Sequence, residues 1–111
     1  NFSNKKMREV GGKGYILDIC NILKDRHDDF IKDYGSGNEL RLTGEHETAD
    51  IHTFSVGESD RGASIRIPVG LVNDGWKGYL EDRRPSSNAD PYKITKLLTE
   101  VLVDVEVEVM V

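Results

Sequence analysis

Five ionisable side chains lie close together in sequence and could do chemistry as a group: Arg61, Arg66, Arg83, Arg84 and, among them, Glu81. The chain carries a net charge of −5, so arginines gathered in one stretch call for an anionic partner. A guanidinium grips phosphate or carboxylate through a planar fork of donors, which an ammonium cannot imitate. The plain alternative is surface ion pairing with the chain's own Asp and Glu side chains. A second candidate is the segment 41–50, RLTGEHETAD, which is poor in apolar residues and reads as a loop. It joins Arg41, His46 and Glu47, and loops carry function more often than they carry cores. The spacing there argues against zinc hydrolysis, because the helical motif needs a second histidine four residues after the first. Asp50 occupies that place and His52 is out of step. The glycines at 11, 12 and 14 are no phosphate loop, since neither the Gly-Lys-Ser/Thr ending nor a preceding strand accompanies them.

Composition sets the frame for these residues. A chain of 111 residues makes one domain at most, and 37% hydrophobic content allows only a modest core. A pI near 5.1 argues against nucleic acid, whose phosphates repel an acidic surface. Cys20 is the lone cysteine, so no disulfide forms within the chain and a reducing, cytoplasmic compartment fits. No apolar run approaches the ~18 residues that would span a bilayer, and no signal peptide opens the sequence. A start at Asn1 rather than methionine reads as a piece of something longer.

The elements that must position the arginines follow from periodicity. Residues 1–13 read as a mobile, polar lead-in. Tyr15, Ile16, Ile19, Ile22, Leu23, Phe30, Ile31 and Tyr34 form one apolar stripe, which predicts a helix over 15–34 closed by Gly35. Cys20 at the edge of that stripe is a small buried hydrophobe, and His27 within the helix is structural. Residues 35–38 form a turn. Ala63, Ile65 and Ile67 alternate with Ser64 and Arg66 as in a half-buried strand. Asn73-Asp74-Gly75 signals a turn, and 77–82 reads as the returning strand of a hairpin that brings Glu81 near Arg66. Asp90 caps a further helix with Pro91 at its first position. Its face is Ile94, Leu97, Leu98, Val101 and Leu102. Beyond it, valines at 103, 105, 107, 109 and 111 alternate with Asp104, Glu106, Glu108 and Met110, a strand period or a frayed tail. As an edge strand it could make the chain an interaction module without catalysis. The expected architecture is α+β, with amphipathic helices packed on a small antiparallel sheet.

Four stretches, taken together, resemble a known family. NFSNKKMRE at 1–9, RLTGEHETA at 41–49, RGASIRIP at 61–68 and KGYLEDRRPSSNADPY at 77–92 stand in the order and spacing found in glutamine synthetase of the eukaryotic type. The resemblance covers 1–102 and corresponds to the C-terminal part of that family's catalytic domain; 103–111 is an atypical tail. It implies ATP-dependent ligation of glutamate and ammonia through a γ-glutamyl phosphate, with Mg2+ or Mn2+ accompanying the nucleotide. By resemblance, Arg61 contacts the transferring phosphate and glutamate, while Arg66 serves the nucleotide phosphates. Arg41 and Arg83 hold glutamate, and Glu81 is a metal ligand. Glu47 sits on a flap and helps deprotonate ammonium. Asn1, Phe2 and Ser3 with Tyr79, Leu80 and Glu81 hold the nucleotide. The family's upstream metal ligands and N-terminal domain have no counterpart in this sequence, and Leu40 stands where relatives often carry arginine. The resemblance therefore implies activity only within a larger chain and its homo-oligomer.

Overall fold

The structure is a computed structural model and describes residues 1–34, 42, 51–86 and 89–110. The expected Gly35 stop, the 35–38 turn and the 41–50 loop with Arg41, His46 and Glu47 therefore fall outside the described residues. Five helices and three strands are described. They are α1 (Lys5–Glu9), α2 (Lys13–Asp25), α3 (His27–Asp33), β1 (Val56–Glu58), β2 (Ile65–Ile67), α4 (Val69–Asn73), β3 (Glu81–Asp82) and α5 (Pro91–Met110).

The opening residues are not a loose lead-in. Asn4 caps α1, its side-chain oxygen accepting from the Met7 amide, and Met7 is fully buried. Gly11 follows with φ +58, and a Cβ there would lie 2.2 Å from the Trp76 carbonyl oxygen. Only glycine permits that backbone turn together with that approach.

The stripe predicted for 15–34 is present, but two helices carry it. Arg26 departs from helical geometry (φ −105, ψ 12) and ends α2 as it begins α3. The buried series Ile16, Ile19, Leu23, His27, Phe30, Tyr34 keeps its three- and four-residue steps across the break. Periodicity therefore could not reveal it. The side chain of Arg26 is drawn to the Asp104 carboxylate on α5.

α5 packs on α2 and covers the far side of the core with Leu98, Val101 and Val105. Asp90 caps it as expected, accepting from the Tyr92 amide at 2.9 Å. The valine-acid stretch is not a strand: residues through Met110 continue the helix. An alternation by two also contains the i, i+4 step, so Val101 and Val105 share the buried face while Val103 is exposed. Tertiary contacts then decide against β-propensity. Asp104 pairs with Arg26, and Glu106 accepts from the Tyr15 hydroxyl and meets Lys6. Val105→Pro is expected to destabilise the chain by about 3 kcal/mol or more, as for any proline inside a helix. Urea unfolding followed by circular dichroism checks this, and an unmoved midpoint would contradict the helical assignment.

The sheet is mixed rather than antiparallel throughout, with strand order β1-β2-β3. β1 runs parallel to β2, with Val56 opposite Ile65 and Glu58 opposite Ile67. The short return between them is held by side chains. Ser55 and Ser64 each donate a backbone amide to the other's hydroxyl, and the Ser59 amide bonds the Ile67 carbonyl. β2 pairs antiparallel with β3, setting Arg66 opposite Glu81 as the hairpin reading required. The connection is longer than a tight turn, because α4 intervenes before Gly75 and Trp76 reverse the chain at positive φ. The expected strand over 77–82 is reduced to its last two residues. Ahead of them Leu80 bridges to Phe2, which stitches the first residues to the site.

Candidate anion-binding site

Extended backbone through 81–84 sorts four consecutive charges by the two-residue alternation of side chains. Glu81 and Arg83 turn to one side, Asp82 and Arg84 to the other. On the first side Arg83 Nη1 donates to Glu81 Oε1 at 2.7 Å. From β2, Arg66 Nη1 stands 3.8 Å from Glu81 Oε2. All three side chains are only partly buried. Arg66 Nε is buried and has no hydrogen-bond partner among the described residues. The carboxylate thus gathers two guanidinium groups at one edge of the sheet. Beside them lies a cleft of about 400 Å³ lined by Arg66, Lys77, Gly78, Tyr79 and Glu81, with Pro68 to Leu71 as its other wall.

On the second side the chemistry is structural. Arg84 is 1% exposed, so it does not join the anion-facing arginines, although its sequence position grouped it with them. Its Nε and Nη2 donate to the two oxygens of Asp82 at 2.9 and 3.0 Å. Its guanidinium also lies against the rings of Phe30, Tyr34 and Phe54. The Tyr34 hydroxyl donates to Asp82 Oδ2. Burial, aided by the Asp82 carboxylate, pushes the Tyr34 phenol well above its ordinary pKa, so it remains a donor. His27 completes the group, meeting Arg84 Nη1 through Nδ1 and the Ile51 carbonyl through Nε2. It is structural, as its place in the helix suggested.

The remaining singled-out residues can be placed in turn. Phe2 and Leu80 exchange backbone hydrogen bonds of 2.9 and 3.0 Å, and the Ser3 hydroxyl donates to the Gly78 carbonyl at 2.7 Å. The segment Asn1–Ser3 therefore lies beside Tyr79, Leu80 and Glu81. Arg61 is exposed on the return between β1 and β2, where Asp60 accepts from the Gly62 amide. Arg41 and Glu47 lie outside the described residues. Cys20 is buried and its thiol is pushed up to about 11 by burial, which makes it inert. Sequence reasoning missed Lys77 in the cleft and the buried pair Asp82–Arg84. The alternation within Glu-Asp-Arg-Arg was the signal that could have separated the two faces.

The fold and site define a class: an α+β segment that presents paired arginines around a carboxylate at the rim of a cleft. No family model matches the chain. Among curated proteins it is 52% identical over 103 residues to a glutamine synthetase from Agaricus bisporus, covering 93% of this chain and 29% of that protein. It is 52% identical over 103 residues to glutamine synthetase cytosolic isozyme 1-5 of Arabidopsis thaliana, again covering 93% and 29%. With a glutamine synthetase from Bradyrhizobium diazoefficiens it shares 49% over 108 residues, 97% of this chain and 31% of that protein. Over the stretch it spans, the chain belongs to the glutamine synthetase family. It spans less than a third of the length of these relatives. Among the described residues, no helix is long and apolar enough to cross a membrane.

Proposed function

We propose that this chain contributes part of the active site of a glutamate–ammonia ligase and works only within a longer polypeptide. Residues 1–102 then correspond to the C-terminal part of the catalytic domain, with 103–111 as an added tail. The parent is a homo-oligomer in the cytoplasm. The observation that carries the reading is the convergence of Arg66 and Arg83 on Glu81, beside the bridge from Phe2 to Leu80.

The reaction has two displacements. A γ-carboxylate oxygen of glutamate attacks the terminal phosphorus of ATP, and ADP leaves. Ammonia then attacks the acyl carbon, the phosphate leaves, and the nitrogen gives up its surplus proton. Arg66 and Arg61 stabilise charge spread over the phosphate oxygens, which is where catalysis of phosphoryl transfer chiefly lies. Arg83 and Arg41 hold glutamate through bidentate forks. Glu47 accepts the proton from the incoming ammonium. Asn1, Phe2, Ser3, Tyr79 and Leu80 border the nucleotide. The test is γ-glutamyl hydroxamate formation from glutamate, ATP and hydroxylamine by a full-length enzyme carrying this segment. No product would remove the assignment.

Mg2+ or Mn2+ would balance the nucleotide's charge in this reaction, but the described residues do not make a site for it alone. No group of three His, Cys, Asp or Glu side chains gathers among them. Glu81 can offer one ligand oxygen, and both its oxygens already face arginines. A hard divalent ion takes several oxygen ligands. Titrated with Mn2+, this chain is therefore expected to bind more weakly than about 1 mM. Tight binding followed by electron paramagnetic resonance would contradict that.

A further inference from the structure

His27 stands between two parts of the molecule that the ligase reading needs together. Its Nε2 lies 2.9 Å from the carbonyl oxygen of Ile51, which can only accept. Its Nδ1 lies 3.0 Å from Nη1 of Arg84, which can only donate. The two partners fix one arrangement: the proton is on Nε2 and Nδ1 is the acceptor. Through Arg84 the ring reaches Asp82, the residue between Glu81 and Arg83. Ile51 in turn donates its amide to the carbonyl of Leu42 at 2.9 Å, so Leu42 and Ile51 are held together. The Phe54 ring packs edge-on against the imidazole at 5.5 Å.

We propose that neutral His27 is a positioning residue that fixes β3, with Glu81 and Arg83, relative to Ile51 and Leu42, and this rests on the ligase reading above. It touches neither substrate nor metal and acts through Arg84 and the Ile51 carbonyl. Protonation would turn the Nδ1 acceptor into a donor facing a guanidinium, so the Arg84 contact must break. The charged groups facing the ring, among the described residues, are Asp82 from β3, Arg84 just beyond it and Asp28 from α3. Burial first, and then Arg84, hold its pKa below the ordinary value, against the opposing pull of the Ile51 carbonyl and the two carboxylates. The unfolded chain therefore takes up this proton first. The stabilisation is full above the ordinary histidine value near ~6.5 and is lost as pH falls from there through the folded value.

Two measurements test the proposal. In this chain, long-range 15N correlations should show a protonated Nε2 and a bare Nδ1 at neutral pH. The Ile51 and Arg84 amides should shift on acidification with the same midpoint as the ring. The opposite tautomer, or unrelated midpoints, would overturn the proposal. In the full-length enzyme, His27→Gln keeps an acceptor and a donor but cannot titrate. It should retain most hydroxamate activity on the alkaline plateau and lose the acid limb that the wild-type profile assigns to this group. His27→Ala should lower kcat/KM by about 10- to 100-fold, the scale of misplacement at a distance from the chemistry. A Gln variant with the wild-type acid limb intact would also overturn the proposal. Failure of the wild-type enzyme to form hydroxamate would instead sink the ligase reading, and the tautomer and shared midpoint would still decide the role of His27.

Discussion

Arg84→Ala is expected to destabilise the chain by about 3–5 kcal/mol, the scale for removing one partner of a buried ion pair. The Asp82 carboxylate would be left almost fully enclosed with its two guanidinium bonds gone. The Tyr34 hydroxyl and the residue-84 amide, which would still donate to this carboxylate, are neutral and cannot compensate its buried charge. Nδ1 of His27 would lose its donor as well, and three aromatic rings would face a void. Domains of this size hold only about 5–15 kcal/mol in total, so the variant should sit at the edge of unfolding. Arg84→Lys should recover little, because one ammonium cannot meet both Asp82 oxygens and the imidazole together. Urea denaturation compares the three proteins. An Ala variant within about 1 kcal/mol of the parent would show that this pair contributes no more than a surface one.

Glu81→Gln should act in the opposite way, on turnover and hardly on stability. The carboxylate is partly exposed, and losing an exposed pair costs about 0–1 kcal/mol. Yet it is the carboxylate that Arg66 and Arg83 share. Without it the two guanidinium groups lose the carboxylate between them, and the oxygen that the ligase reading would offer to a metal belongs to a neutral amide. In the full-length enzyme, hydroxamate formation is expected to fall by about 10²–10³, as when one preorganised electrostatic group is removed from an active site. Wild-type turnover with Gln at this position would end the case for Glu81 in the chemistry.

The contrast between these two neighbours shows what the sequence could and could not tell. Four motifs in order carried the family, and cross-strand pairing of Arg66 with Glu81 was readable from alternation and a turn signal. Both are local patterns. The burial of Arg84 depends on Phe30, Tyr34, Phe54 and His27 arriving from distant positions, and no spacing rule announces that. The valine-acid tail misled because its period of two also satisfies the helical step of four. Its contacts with Tyr15 and Arg26 settled the matter. The break at Arg26 and the parallel pairing of β1 were hidden likewise. The first preserves the apolar spacing, and the second is held by serine side chains rather than by an apolar pattern. Arg41 and Glu47, named by resemblance, lie outside the described residues.

The fastening of α5 to the opening helices bears on how the chain is made. Tyr15 waits for Glu106 and Arg26 waits for Asp104, both from the last turns of the final described helix. Ile16, Ile19 and Leu23 share their cluster with Val101 and Val105. During synthesis the α2 stripe therefore emerges before the α5 residues that pack against it. Apolar surface that waits for a partner later in the sequence is the kind that draws self-association and chaperones, a hazard set by the order of the sequence rather than by the finished fold.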